Sequence, residues 1–255
     1  MMSLLLAPLP LVPVALAVTF WYWTEVTGLC RQMFSRALKL TRGRMCVSKT
    51  HAFVFTNCTH GQAQSVLDTF HQYADTHPCL IIGPRKGQLL DEVVARVAPL
   101  RVLELGTSCG YSSVCILRLL GSEGRLVTVE RDPVTADKGE EIILVAGFKH
   151  LQFQVLTCPS AEAIAGLRNN LGDQDLDLVL MDHNPKQYLP DLLALERRGL
   201  LSPGCVLLVN NVNGSAARTF LEHIRVWPEC YSVCGQLLGM MEVRWNRASR
   251  QDSSD

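Results

Sequence analysis

The run Val102-Leu-Glu-Leu-Gly-Thr-Ser-Cys-Gly-Tyr-Ser-Ser113 constrains the fold of this chain more than any other stretch. Apolar residues flank a single acid and end on Gly106. A second glycine follows at position 110, and an amphipathic pattern runs from Tyr111 to Leu120. A buried strand, a tight turn and a helix start in that order form a βα unit of an open α/β sheet, and such sheets bind ligands beyond the carboxyl ends of their strands. The alternation continues. Strands are expected at 101–105, 126–130, 151–155, 176–181 and 205–210, with helices near 111–120, 133–146, 160–170, 187–198 and 215–225. Helical patterning also precedes them near 63–73 and 86–97. Residues 231–244 suggest two strands with no long helix between them. The expectation is a mostly parallel seven-stranded sheet with helices on both faces and an antiparallel edge.

Glycine spacing points to the ligand. Dinucleotide binders use G-x-G-x-x-G so that backbone N–H groups meet a pyrophosphate. Here Gly106 and Gly110 are spaced G-x-x-x-G, with Glu104 two residues ahead. A carboxylate at this turn repels phosphate and attracts an ammonium. S-adenosylmethionine carries an ammonium and a sulfonium and no phosphate. Glu130 closes the next apolar run, where an acid accepts both ribose hydroxyls. The competing reading is an αβα core with capping glycines and no ligand.

Composition bounds the remaining choices. Twenty-four basic and 24 acidic residues balance, and no Lys/Arg stripe interleaves with aromatics, so nucleic acid is not expected as a partner. The 10 cysteines are scattered without a C-x-x-C pair. They read as free thiols in a reducing compartment, and zinc is not expected.

Residues 1–24 contain no charged side chain and end in the aromatic cluster Phe20-Trp-Tyr-Trp23. They are expected to form a single-pass transmembrane anchor, weakened at its start by Pro8, Pro10 and Pro13. Arg31, Arg36, Lys39, Arg42, Arg44 and Lys49 follow with no acid from Val26 to Thr50, which places the body on the cytosolic side of an endoplasmic reticulum or plasma membrane. A cleavable signal peptide competes through Ala15-Leu-Ala17, but its n-region lacks positive charge. The organisation expected is an anchor at 1–24, a basic juxtamembrane connector at 25–59, an α/β domain at 60–248 and a disordered tail at 249–255. Asn57-Cys-Thr59 and Asn213-Gly-Ser215 are glycosylation sequons that a cytosolic body leaves unmodified.

Asp182, Asn210 and Asn211 end the fourth and fifth expected strands, on the same rim as Glu104 and Glu130. Converging oxygens of this kind suit a hard cation such as Mg²⁺, whereas a lone Asp or Asn at a strand end is ordinarily a helix cap.

These residues carry a family resemblance. Gly83-Pro-Arg-Lys-Gly87, Leu103-Glu-Leu-Gly-Thr-Ser-Cys-Gly-Tyr-Ser112, Val129-Glu130, Met181-Asp-His183 with Tyr188-Leu-Pro-Asp191, and Leu207-Leu-Val-Asn-Asn-Val212 resemble the catechol O-methyltransferase family in order and spacing over about residues 60 to 225. Val129-Glu-Arg-Asp-Pro133, Ala146-Gly-Phe148 and Pro185 are similar to its transmembrane O-methyltransferase branch. The resemblance implies a Rossmann-like, S-adenosylmethionine-dependent methyltransferase fold. It also implies Mg²⁺-assisted methyl transfer to a hydroxyl of a catechol, catecholamine or related phenol, as in neurotransmitter degradation. By position it implies cofactor contacts from Ile82, Glu104, Gly106, Gly110, Ser112, Glu130 and Asp182, and metal ligands from Asp182, Asn210 and Asn211.

Departures lie in the substrate half. Asn210 stands where the family has an aspartate ligand, and Pro185 stands in place of its catalytic lysine. Lys186 is offset by one from that lysine and is the remaining catalytic candidate. Ser108 replaces a tyrosine and Ala161 a serine. The segment bearing a substrate-contacting glutamate between the last two strands is missing. A second class of function therefore stands beside the enzyme: a catalytically weakened, membrane-anchored binding or trafficking partner of another membrane protein, as the branch is associated with in sensory hair-cell mechanotransduction.

Overall fold

The computed structural model describes residues 43–77, 79 and 81–246. The expected anchor at 1–24 and tail at 249–255 lie outside these residues. Among the described residues no helix is long and apolar enough to cross a membrane.

A compact unit begins at Cys46. This differs from the expected start at residue 60, because the latter part of the expected connector is helix. In this helix, α1, the described part covers residues 43–57. Val47, Thr50 and Val54 are buried. Their three- and four-residue spacing lays one stripe against the body, and the basic residues around it hide this stripe in the sequence.

Next come α2 (Ala63–Thr76) and α3 (Pro84–Val97), then strands alternating with helices: β1 (Arg101–Leu105), α4 (Tyr111–Leu117), β2 (Arg125–Val129), α5 (Pro133–Val145), β3 (Phe153–Leu156), α6 (Ser160–Gly166), α7 (Arg168–Leu171), β4 (Leu176–Met181), α8 (Tyr188–Arg197), β5 (Leu201–Val209), α9 (Arg218–Val226), β6 (Tyr231–Leu237) and β7 (Met240–Trp245). The sheet order is β3-β2-β1-β4-β5-β7-β6. β1 to β5 run parallel, and β7 is antiparallel to both β5 and β6. This is the expected Rossmann-like methyltransferase sheet with its antiparallel edge.

Two strand starts differ from expectation by two residues or more, for local reasons. Leu151 is 76% exposed in a turn, so β3 begins two residues later. β5 begins at Leu201, four residues early, because it runs through Pro203-Gly204 on an irregularity where its register with β4 shifts. The Pro-Gly pair reads as a break in sequence and is accommodated as a bulge in the sheet.

The pleat divides the core. Leu103, Leu105, Val179, Met181, Leu207 and Val209 pack on one face. Val102, Leu178, Leu180, Val206 and Leu208 pack on the other. Glu104 belongs by alternation to the second face, which places a carboxyl in an otherwise apolar layer. β6 and β7 are joined by Leu238 and Gly239, both at positive φ, a two-residue turn that leaves no room for an inserted segment. The missing segment inferred from the sequence is therefore missing from the structure.

Candidate active site

The strand order reverses at β1, between β2 and β4, and here the ladder continues past the strand ends. Glu130 N–H donates to Leu156 O at 3.0 Å, and Gly106 N–H to Val129 O at 2.9 Å. Asp182 N–H donates to Leu105 O and Asn210 N–H to Met181 O, both at 2.9 Å. These bonds hold Glu130, Gly106, Asp182 and Asn210 on one edge. Gly106 has φ +106°, and a Cβ there would lie 2.7 Å from the Asp182 carbonyl oxygen. The first glycine is thus required for β1 and β4 to approach at the switch point. Gly110, with φ +82°, lets the turn touch α5, since a Cβ would meet Gly139 O at 2.9 Å.

A cleft of about 480 Å³ opens at this edge, lined among others by Gly106, Ser108, Glu130, Ala161, Asp182 and His183. Its size suits a nucleoside-sized ligand. Glu130 is braced from both sides, its Oε2 accepting from Ser108 N–H at 3.2 Å and its Oε1 from Asp132 N–H at 3.0 Å. Each oxygen keeps a further lone pair for a ligand hydroxyl. His183 Nε2 is 2.7 Å from Asp191 Oδ2, on a carboxylate only 1% exposed, while its Nδ1 is buried with no partner among the described residues. Tyr188 fixes the rim backbone by donating its hydroxyl to Asn210 O at 2.9 Å.

Four of the expected cofactor residues do not line the cleft. Glu104 is fully buried and accepts hydrogen bonds from the hydroxyls of Ser112, Ser113 and Thr128. Burial pushes its carboxyl up to about 7, against the pull of those three hydroxyls. Ser112 is committed to that contact, Gly110 lies under the turn, and Ile82 packs against the second core. Cys109 is buried with its thiol pushed up to about 12, so it is a packing residue and not a nucleophile.

The ends of β4 and β5 hold a polar cluster on the rim. Asn210 Nδ2 donates to Asp182 Oδ1 at 2.7 Å, and Asn211 Nδ2 donates to the same oxygen at 3.3 Å. Asn210 Oδ1 accepts from Asn211 N–H at 2.9 Å and from Lys86 Nζ at 2.7 Å. The three expected metal residues therefore come together, joined by a lysine whose role was missed in the sequence. Burial pushes the Asp182 carboxyl up to about 6, opposed by the Asn210 amide and the Lys86 charge. Lys186 lies exposed on a 3-10 turn at Pro185–Gln187 and does not line the cleft.

The sheet order and the cleft at its switch point define a class I, Rossmann-like methyltransferase architecture. Residues 103–212 match a family model described as a methyltransferase domain. Similar folds include the O-methyltransferase from Bacillus cereus in complex with S-adenosylhomocysteine (TM-score 0.61, 22% identity, 72% of this chain and 90% of that one). The O-methyltransferase TomG from Streptomyces achromogenes in complex with S-adenosylmethionine is also similar (TM-score 0.60, 22% identity, 77% and 96%). Transmembrane O-methyltransferase of Homo sapiens is 36% identical over 225 residues, covering 88% of this chain and 76% of that protein. Catechol O-methyltransferase of Bos taurus is 34% identical over 225 residues, covering 83% and 82%. The chain belongs to the catechol O-methyltransferase family.

Proposed function

We propose that the chain transfers a methyl group from S-adenosylmethionine to a hydroxyl of a catechol or related phenol. The observation that carries this reading is Glu130. Its carboxylate, held by two backbone N–H groups at the end of β2, stands in a nucleoside-sized cleft beside the switch point. Glu130 receives the ribose diol. His183, its ring held by Asp191, lines the cleft and forms part of the wall against which the adenine lies. Asp182 faces the cleft near the methionine end.

When bound, the cofactor supplies a methyl electrophile on its sulfonium. The chain's own contribution is positioning: Asp182 Oδ2, which takes no hydrogen bond from the described residues, receives the hydrogen of the acceptor hydroxyl and orients its oxygen. Holding the two reactants in near-attack geometry supplies a large share of the rate enhancement. Family names and the uncharged 1–24 segment support a membrane-anchored enzyme with a cytosolic body.

Titration calorimetry with S-adenosylmethionine, followed by a radiolabelled methyl-transfer assay on catechol, tests the reading. Glu130→Ala is expected to weaken cofactor binding at least about tenfold, the loss of hydrogen bonds to a charged group. Absence of binding to the wild type sinks the proposal. Binding without transfer to any phenol assigns the chain to the binding or trafficking class instead.

A further inference from the structure

We infer that the acceptor rim works without a divalent cation, the ammonium of Lys86 standing where such an ion would be needed. This rests on the O-methyltransferase reading and concerns how its substrate half is charged. The argument begins with the Asn210 amide. Its Oδ1 faces two donors, Lys86 Nζ at 2.7 Å and Asn211 N–H at 2.9 Å, and its Nδ2 faces Asp182 Oδ1 at 2.7 Å. Turning the amide over would set its hydrogens against two donors and its oxygen against a carboxylate, so the network fixes its orientation. What Asn210 presents to Asp182 is therefore N–H, not oxygen, and Asn211 also directs its Nδ2 at that carboxylate, at 3.3 Å.

Mg²⁺ requires oxygen donors in near-octahedral array at about 2.0–2.1 Å, and this donor set does not fit it. One carboxylate and one ammonium sum to zero charge, and the ammonium repels an arriving dication. Two carboxylates this close would need a cation between them, whereas an amide and a carboxylate bond directly. Among the described residues no group of three His, Cys, Asp or Glu side chains is placed to hold a metal.

The fold delivers Lys86 to this place. It lies in the first turn of α3, after Gly83 at φ +80° and Pro84. A Cβ on the next residue, Gly87, would lie 2.7 Å from Tyr111 Oη, so the start of α3 is seated tightly on α4. A cation in the first turn opposes the helix dipole, and the Asn210–Asp182 pair offsets that cost. A fixed ammonium here stabilises the charge that develops on an attacking phenolic oxygen, and a chelator cannot remove it.

The test uses the full-length chain, Mn²⁺ as an electron paramagnetic resonance probe, calorimetry with S-adenosylmethionine in EDTA, and methyl transfer to catechol with Mg²⁺ or EDTA. The wild type is expected to leave the free Mn²⁺ signal intact at millimolar concentration and to turn over within about twofold in the two media. Asn210→Asp and Lys86→Gln are each expected to bind Mn²⁺ at least about tenfold more tightly than the wild type. Either variant suffices if the other fails to fold, and the wild-type arms need no variant. Stoichiometric Mn²⁺ binding by the wild type, or more than about tenfold loss of transfer in EDTA, overturns the inference and leaves the methyltransferase reading standing. Absence of cofactor binding in EDTA and Mg²⁺ alike sinks that reading itself. If the cofactor binds but no phenol is methylated, the Mn²⁺ measurements alone decide.

Discussion

Glu104 shows how a single side chain couples the motif to stability. Its carboxyl is fully buried, tied to three hydroxyls and pushed up to about 7 from an ordinary 4.5. Between those two values the folded chain binds this proton more tightly than the unfolded chain. The resulting stabilisation is complete below pH 4.5, declines as pH rises to about 7 and is gone above it, about 3 kcal/mol in all. Chemical denaturation from pH 4.5 to 8 is expected to show this downward slope in the wild type and a flatter one in Glu104→Gln. Equal slopes would mean that Glu104 stays ionised in the folded state across the range. Gly106 makes a second residue-scale prediction. With φ +106° and a Cβ position 2.7 Å from the Asp182 carbonyl oxygen, Gly106→Ala is expected to cost at least about 2 kcal/mol in urea unfolding. A smaller loss would show that the β1 and β4 ends are free to separate.

At the scale of elements, the rim is a set of strand ends braced by the elements behind them. α8, entered through the 3-10 turn at Pro185–Gln187, carries His183's partner Asp191 and the rim-fixing Tyr188. Asp191→Asn is expected to weaken S-adenosylmethionine binding by about threefold to tenfold, because the His183 ring that lines the cleft loses the charge-assisted hydrogen bond that holds it, with the thermal midpoint little changed. Unaltered affinity in calorimetry would remove His183 from the cofactor site. β4 and the end of β5 were legible in the sequence because each is an apolar run that stops on a polar residue, at Met181-Asp182 and Val209-Asn210. Less legible was anything depending on which way a side chain turns. Glu104 and Ser112 read as cofactor contacts by their place in the motif, yet the pleat and the α4 start direct them at each other. Lys86 read as part of a motif with no role, because a lysine in a first helical turn resembles a solvated surface residue until α3 is placed over Asn210. The α1 stripe was hidden by the basic residues around it.

The whole chain has no net charge, and its basic excess is concentrated in the stretch from Arg31 to Lys49. On the proposed reading of 1–24 as an anchor, that distribution predicts orientation, since lysine and arginine close to a spanning helix stay on the cytosolic side. The body carries a direct reporter of the side on which it lies. Asn57, at the end of α1, and Asn213, in the turn after β5, both begin glycosylation sequons and are both exposed. Neither is sterically protected, so a luminal body would acquire sugar at one or both. Expressed full-length in secretory cells, the chain is expected to fractionate with membranes, resist alkaline extraction and show no mobility shift on endoglycosidase treatment. Asn57→Gln with Asn213→Gln is expected to migrate like the wild type. A shift abolished by those substitutions would place the methyltransferase body in the lumen, where ten cysteines in an oxidising compartment would also have to be explained.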